Sequence, residues 1–380
     1  MSKRMVMLVL AIAAIVSLVV VGCAPEAAPP EEEEAPPEEE EAPPEEEEEA
    51  PPTPPAAEVI TWIGQASLPA GMPPAKGLDR LSARITEASG GRLVLKSNPA
   101  GAICPATEEW KAIDKGTLDF CAGGGSYMVA EVKFGSIISQ RVGGIGPLAH
   151  FAWHIAVGAE LLDEWYEKLG LDLYDIPGGG FHGPPEGWIH CNKVIKEAKD
   201  LKGLKMRASG DCGKVLERMG VATVFMPLGE VFEAMTRGMI DAFECSNPAF
   251  DLDMGLHEAA DYYYLSSTRA PTEVYQFLMA RSKWEKLPDD LKVLVEDCAR
   301  AEALYYYQEM AVRVPEAVQA HKDVGVTVAL LPASIDQAFV TEANKYLDEQ
   351  AAADPAMAEV LKSMRDWEKM WKELYGSAQY

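Results

Sequence analysis

Basic residues are scarce in this chain. It has 34 lysines and arginines against 60 aspartates and glutamates, for a net charge of −26. Fourteen of the glutamates lie in Ala24–Ala57, which holds no basic residue, and Lys3 and Arg4 precede that stretch. When these glutamates and the two basic residues are left out, the net charge from Glu58 onward is −14. An acidic body of this kind argues against nucleic acid as the partner.

Signatures of catalysis are also missing. The chain has six histidines, and the pair His150 and His154 lacks the intervening glutamate of a zinc-protease HExxH motif. No GxSxG motif occurs, and the glycines at 123–125 are not followed by the Gly-Lys-Ser/Thr of a phosphate loop. Binding is therefore favoured over catalysis. An exported enzyme acting on small carboxylates through Glu244 and Cys245, and a ligand sensor for a membrane receptor, remain as alternatives.

Cysteine spacing gives no metal or redox motif. Apart from Cys23, none of the six cysteines forms a CxxC pair, and six cysteines allow fifteen disulfide pairings. Disulfides and free buried thiols both stay open for Cys104, Cys121, Cys191, Cys212, Cys245 and Cys298.

The first 23 residues have the pattern of a lipoprotein signal peptide. A basic start is followed by the apolar run Met5–Val21 and by Gly22-Cys23, and a small residue before a cysteine is typical of a cleavage site with a lipidated cysteine. We expect a protein anchored by lipid at Cys23 outside the cytoplasm, in the periplasm or at the cell surface. An uncleaved membrane anchor is the alternative.

The next segment, 24–58, repeats a unit of proline pairs, glutamate runs and alanine. It cannot bury enough apolar surface to offset the loss of chain entropy on folding. We therefore predict a disordered Pro/Glu tether, 24–58, followed by a folded region, 59–380.

Two successive βαβαβ patterns follow. The first runs from a strand at Val59–Ile63, through a helix at Ala75–Ala88 and further elements, to a strand at Leu118–Ala122. The second, Lys199–Pro248, comprises a strand ending at Arg207, a helix starting near Asp211, a second strand, a second helix and the strand Met239–Glu244.

Between these patterns, the sequence predicts one long helix and one loop. The helix Ala152–Leu169 is expected to turn one face inward, formed by Trp153, Val157, Leu161, Leu162 and Trp165. Pro177–Trp188 is too rich in glycine and proline for either regular element, so we interpret it as a hinge and pocket lip.

Arg207 is the candidate ligand anchor. It lies at the carboxyl end of a predicted strand, where open α/β sheets bind ligands, and its planar fork can donate two parallel hydrogen bonds to a carboxylate. A surface ion pair with Asp200 or Asp211 is the alternative.

The stretch "DLKGLKMR…EVFEAMTRGMIDAFECSNP" resembles the DctP-type solute-binding proteins of tripartite ATP-independent periplasmic (TRAP) transporters, and "GRLVLK" and "KAIDKGTLDF" resemble their first lobe. The resemblance covers Val59 to the mid-300s. It implies an α/β, two-lobed periplasmic-binding-protein-like fold with hinge strands and a long connecting helix. Lobe I would comprise about 59–180 plus 267–310, and lobe II about 181–266 plus the C-terminal helices. It also implies capture of a small organic acid and delivery to a membrane permease.

The 2-oxo-acid and lactate-binding branch is the most similar, because Glu244 and Pro248 keep its Glu-Trp-x-x-Pro spacing. That branch binds its ligand through a metal coordinated by this glutamate, by the next residue's carbonyl and by a glutamine that this chain lacks. The resemblance leaves open whether a sodium or calcium ion, held by Glu244, bridges ligand and protein here. The expected ligand-binding residues are Arg207, Glu244, Cys245, Asn247, Tyr127, Phe181 and Trp188. Gly180, Phe181 and Pro184 at the lip suggest an apolar or aromatic acid.

The C-terminal helix presents an aromatic face formed by Trp367, Trp371, Leu374 and Tyr375. We expect it to pack on the second lobe of its own chain. A two-fold homodimer, as the oxo-acid branch is known to form, remains the alternative.

Overall fold

A computed structural model describes residues 59–226 and 228–375. The predicted signal peptide, the lipidation site Cys23 and the Pro/Glu tether lie outside these residues. In the part that is described, no helix combines the length and the apolar character needed to cross a bilayer.

The first of two six-stranded sheets combines a parallel and an antiparallel part. Its strands are β1 (Ile60–Ala66), β2 (Leu93–Lys96), β3 (Phe120–Gly124), β4 (Tyr174–Asp175), β5 (Phe181–His182) and β11 (Val274–Met279). Parallel strands β2, β1 and β3 lie side by side, and β11 adds antiparallel to β3 and pairs with β4 and β5.

The second sheet consists of β6 (Gly187–Cys191), β7 (Lys205–Arg207), β8 (Ala222–Val224), β9 (Ala242–Phe243), β10 (Tyr262–Leu265) and β12 (Thr327–Leu330). Its strand order is β12-β10-β6-β9-β7-β8. Strands β7, β8 and β9 are mutually parallel, as the βαβαβ pattern of Lys199–Pro248 predicts, whereas β6 is antiparallel to both neighbours.

Twelve α-helices within the described residues cover these sheets. They are α1 (Pro73–Ala88), α2 (Glu109–Asp114), α3 (Gly135–Gln140), α4 (Pro147–Trp153), α5 (Ala159–Lys168), α6 (Gly210–Arg218), α7 (Leu228–Thr236), α8 (Pro248–Asp253), α9 (Arg281–Trp284), α10 (Asp289–Asp323), α11 (Ala333–Ala353) and α12 (Pro355–Tyr375).

The chain passes between the two sheets three times. Segment 183–186 connects β5 to β6, segment 266–273 returns from β10 to β11, and α10 leads from the first sheet to β12 in the second. At 35 residues, α10 is about 50 Å long. This is the expected two-lobed α/β fold, with crossing strands and a long connecting helix.

Each sheet is covered on both faces. Alternate residues of β3 enter different cores: Phe120 and Ala122 pack with α1 and α10, and Cys121 packs with α2 and α3. Alternation of this kind follows from the two-residue period of a strand. Both cores continue under the second sheet, so the lobes share their apolar packing.

The lip Pro177–Trp188 differs from its prediction as an irregular loop. Phe181–His182 forms β5, and Gly187 begins β6, because β11 and β10 supply hydrogen-bonding partners for segments that no local pattern identifies. Gly187 is required by packing, since a Cβ on this residue would lie 2.0 Å from the Tyr263 hydroxyl.

The predicted helix Ala152–Leu169 is interrupted by a π-helical turn, His154–Gly158, between α4 and α5. A π turn inserts an extra residue and shifts the helix phase. Val157, which was expected to face inward, is therefore 42% exposed, while Leu162 and Tyr166 are buried.

The C-terminal helix α12 packs on its own chain, against α11 as expected and also against helices of the first lobe. The Trp153 indole donates to the Ser363 hydroxyl (3.1 Å), the Trp367 indole donates to the Ala149 carbonyl (2.9 Å), and Arg141 pairs with Glu368. The apolar face continues past this contact: Leu374 is 71% exposed.

This packing predicts unequal effects of two truncations in α12. Met364 is fully buried, so Met364→Ala should lower the free energy of unfolding by about 2–5 kcal/mol. The matched control Leu374→Ala should change it by less than about 0.5 kcal/mol. Urea unfolding followed by tryptophan fluorescence measures both. A cost at Leu374 equal to that at Met364 would mean that the end of α12 is buried in another contact.

Candidate functional site

Arg207 is the last residue of β7. It therefore lies at the edge of the second sheet where the carboxyl ends of the parallel strands β7, β8 and β9 meet. Its side chain is buried, and its Nε donates to the Met226 carbonyl (3.2 Å). Its Nη1 donates to both the carbonyl and Oε1 of Glu244, each at 2.8 Å. Nη2 has no acceptor among the residues that the structure describes. Within the described residues, Nε and Nη1 of the fork therefore serve the protein itself.

Glu244 follows β9 and is the centre of the site. Its Oε1 accepts from Arg207 and from the backbone N–H and hydroxyl of Ser209, both at 2.9 Å. Its Oε2 accepts from Nη1 of Arg269 (2.9 Å). Two guanidinium groups and a serine therefore compensate this buried carboxylate, and neither predicted surface partner of Arg207, Asp200 or Asp211, takes part.

Arg269 is a residue that sequence reasoning missed. It lies in segment 266–273 and is fully buried. Besides Glu244, it donates to the carbonyl of Gly187 from Nε (3.0 Å) and Nη2 (2.8 Å), and to the carbonyl of Cys245 from Nη2 (3.3 Å). Nη2 also pairs with Glu186. An isolated arginine between two predicted strands was the only signal in the sequence.

Two further carboxyl groups border this cluster. Glu186 pairs with Arg269 and accepts from Gln140. Burial raises the pKa of Glu186, although Arg269 opposes the shift. Glu273 accepts from the Ser246 hydroxyl (3.0 Å), and burial raises its pKa as well. The site is thus rich in carboxyl groups. The positive charges of Arg207 and Arg269 offset the repulsion that these groups would exert on an acidic ligand.

One aromatic side chain lies beside Arg207, and a second is close enough for the charge of Arg207 to act on it. The Phe225 ring is 5.9 Å from the Arg207 guanidinium and is 73% exposed, which is unusual for phenylalanine. Tyr127 follows β3 in the first lobe. Partial burial raises the pKa of Tyr127, and the charges of Glu273 and Arg207 also act on it. Tyr127 was predicted at the site, whereas Phe225 was not.

Four other predicted binding residues have structural roles. Phe181 is fully buried and stacks on Tyr306 in the core under β5, and Trp188 is fully buried against Phe339. Asn247 caps α8 by accepting from the Phe250 N–H (3.2 Å).

The last of these four, Cys245, has a buried thiol and offers only its carbonyl to the cluster. Burial raises the pKa of this thiol, which opposes its use as a nucleophile. All six cysteines of the body are free.

A cavity of about 290 Å³ opens next to the cluster. Ser126 and Gln140 line it from the first lobe, and Gly210 and Cys212 line it from the start of α6. Gln140 contacts Glu186, and Gly210 follows Ser209, so the cavity borders the charged cluster. Its size is near the lower end of small-molecule sites.

Glu109 is a buried carboxyl group on the first lobe. It accepts from the Gln65 side-chain amide (2.9 Å), and Gly123 of β3 lies against its second oxygen. Burial raises the pKa of Glu109 to about 8, although the hydrogen bond from Gln65 lowers it. Glu109 is therefore largely protonated at neutral pH.

Comparison with known proteins agrees with this architecture. The family of bacterial extracellular solute-binding proteins, family 7 (DctP), matches residues 156–354. The chain belongs to this family. The resemblance seen in the Arg207–Pro248 motif is thereby confirmed. Members of family 7 are solute receptors, so the exported-enzyme alternative is set aside.

Three relatives show what the chain is similar to. A monocarboxylate 2-oxoacid-binding periplasmic protein of Nostoc sp. is 25% identical over 83% of this chain and 85% of its own. A TRAP periplasmic solute-binding protein of Colwellia psychrerythraea, solved with calcium and pyruvate, is 25% identical with a TM-score of 0.76, over 84% and 98% of the two chains. A TRAP protein of Bordetella bronchiseptica, a mixed-occupancy dimer with copurified calcium and picolinate in one active site, is 21% identical with a TM-score of 0.74, over 84% and 96%.

The donor set of this family-7 chain does not fit a bridging cation. A bridging cation needs free oxygen ligands, but Arg269 donates to Oε2 of Glu244 (2.9 Å) and to the carbonyl of Cys245 (3.3 Å), two of the ligands that the resemblance implies. Both oxygens of Glu244, the ligand implied by the resemblance, already accept from Arg207, Arg269 and Ser209.

The shifted pKa of Glu109 predicts a pH dependence of stability. Between about pH 4.5 and 8 the folded chain keeps the Glu109 proton that the unfolded chain has lost. Stability should therefore fall with rising pH in this window, by at most ~1.4 kcal/mol per pH unit for one proton. Asp163, whose pKa burial also raises to about 8, contributes in the same direction.

Glu109→Gln should remove one proton's share of that slope, and Glu108→Gln, an exposed neighbour, should leave it unchanged. Urea unfolding at a series of pH values gives both slopes. A Glu109→Gln protein with the wild-type slope would contradict the assignment of the proton to Glu109.

Proposed function

We propose that this receptor binds a small monocarboxylate between its two lobes and that Arg207 anchors the ligand's carboxylate. The observation that carries the proposal is the geometry of Arg207. It is a buried arginine at the carboxyl end of β7, held rigidly by three hydrogen bonds, with Nη2 lacking an acceptor among the described residues. A charged donor fixed in this way is suited to an incoming carboxylate.

The charge balance around Arg207 supports an acidic ligand. Glu244 would repel a carboxylate if it were bare, but its oxygens accept from both guanidinium groups and from Ser209. The Tyr127 hydroxyl is a further donor on the first-lobe side of the cleft. Closure of the lobes would bring it toward a carboxylate held by Arg207.

Phe225 is placed to contact the part of the ligand outside its carboxylate. Its exposed ring beside Arg207 offers an apolar surface to the body of a small acid. This supports an apolar or aromatic acid, for which Gly180, Phe181 and Pro184 were the first indication; Phe181 itself is in the core. The relatives solved with pyruvate and picolinate make such acids the first ligands to test.

We further propose that the mature chain begins at a lipidated Cys23, that 24–58 tethers the folded region to a membrane, and that a TRAP permease takes the ligand. Lobe I would comprise about 59–180 plus 267–310, and lobe II about 181–266 plus the C-terminal helices α11 and α12. The amino-terminal pattern, the acidic repeat and membership of an extracellular solute-binding family support this assignment.

The exposed end of α12 could form the contact of a two-fold homodimer, which is the alternative to a monomer. Leu374 and Tyr375 extend the aromatic face beyond its contact with the first lobe, and one relative is a dimer. Light scattering across a range of concentrations distinguishes the two states. A monomer mass at micromolar concentration contradicts the dimer.

Replacing the anchor tests the proposed function. Arg207→Ala should weaken binding of pyruvate or picolinate by about 10- to 100-fold, because a charge-assisted hydrogen bond is lost. Arg218→Ala removes an arginine from a solvent-exposed pair with Glu349 and should leave affinity unchanged. Titration calorimetry measures both variants. If Arg207→Ala, with its fold intact, binds as tightly as wild type, the anchor lies elsewhere.

Replacing the lipidation site tests the anchor. Cys23→Ser should abolish incorporation of labelled fatty acid into the protein, because no thiol remains to be acylated. Metabolic labelling followed by immunoprecipitation shows this, with Cys298→Ser as the control. A wild-type protein that takes up no label would contradict lipidation at Cys23 and favour an uncleaved anchor.

A further inference from the structure

Arg269 is surrounded by the kind of oxygen atoms that bind hard cations. Its guanidinium contacts carboxylate oxygens of Glu186 and Glu244 and carbonyl oxygens of Gly187 and Cys245. Carboxylates and backbone carbonyls are the ligands that calcium prefers in proteins. All four groups accept hydrogen bonds from this one guanidinium.

A second cation has no room in this arrangement. Arg269 has no exposed surface, and its three nitrogens all have partners. Arg207 shares the same Glu244 carboxylate. A divalent ion placed among these oxygens would lie beside two permanent positive charges in a medium of low dielectric, where repulsion between like charges is strong.

We propose that the guanidinium of Arg269 takes the place of a bound cation in this site, so that the protein binds its carboxylate without a metal ion. This inference rests on the proposed function and adds a substrate class to it. Arg269 holds Glu244 and Gly187 of the lip in place through hydrogen bonds. The guanidinium of Arg207 then binds the ligand's carboxylate through Nη2.

The chemical consequence concerns the atom next to the ligand's carboxylate. A bound ion can be chelated by a carboxylate together with a neighbouring donor, such as the keto oxygen of pyruvate or the ring nitrogen of picolinate. Arg269 is fully buried, so a neighbouring donor has no cation to reach. Acids without that donor should therefore bind about as well as acids with it.

Two matched pairs of acids test this on the full chain: picolinate against nicotinate, and pyruvate against propionate. Each is titrated by calorimetry with calcium, and again with EGTA and with choline replacing sodium. We expect affinities that agree within about fivefold across ions and within each pair. Binding that appears only with calcium or sodium, or a picolinate preference of about 100-fold that depends on calcium, overturns this inference while the proposed function stands. Failure of all four acids under every condition overturns both.

A variant gives a readout that needs no ligand. Arg269→Ala leaves the carboxylates of Glu186 and Glu244 without their shared cation, so it should lower the melting temperature, and calcium should restore part of the loss. Wild type and Arg313→Ala, which loses a half-exposed pair with Asp253, should show no calcium response. A response in wild type, or none in a folded Arg269→Ala protein, contradicts the inference. If Arg269→Ala does not fold, the ion dependence of the wild-type protein decides.

Discussion

The carboxylate of Glu244, held between Arg207 and Arg269, is the interaction on which the site depends. It joins the end of β7, the end of β9 and the crossing segment 266–273 in one set of hydrogen bonds. A buried carboxylate with no partner costs several kcal/mol, and removing one partner of a buried pair costs about 3–5 kcal/mol. The ends of β7 and β9 and the segment 266–273 are therefore held together by these paired charges, and loss of any one of the three charged side chains should be strongly destabilising.

This arrangement also determines what the receptor can offer a ligand. Most of the donors on the two arginines serve the protein itself, and Arg269 has no access to solvent. In the proposed site, the groups left for a ligand are one guanidinium nitrogen of Arg207, the exposed ring of Phe225 and the phenol of Tyr127. A site with one fixed positive donor and an aromatic wall suits a small acid with an apolar body. Two relatives of the same fold were solved with calcium together with pyruvate or picolinate bound.

Local sequence patterns predicted the secondary structure and its order, because these depend mainly on interactions between residues that are close in the chain. The βαβαβ order of Lys199–Pro248 follows from hydrophobic periodicity and glycine caps, and it places Arg207 at a strand end. The role of Arg269 was not predictable in this way, because its partners Glu186 and Glu244 are 83 and 25 residues away. The burial of Phe181 likewise depends on pairing between β5 and β11, and the position of α12 depends on contacts with Ala149 and Trp153.

A crystal structure of the protein with a bound monocarboxylate, grown without calcium and with sodium replaced by choline, tests the central claim most directly. The account predicts a carboxylate oxygen at hydrogen-bonding distance, about 2.7–2.9 Å, from Nη2 of Arg207. It also predicts that Arg269 still bridges Glu244 and Glu186. A ligand bound away from Arg207, or an ion between Glu244 and the carboxylate with Arg269 displaced, would contradict it.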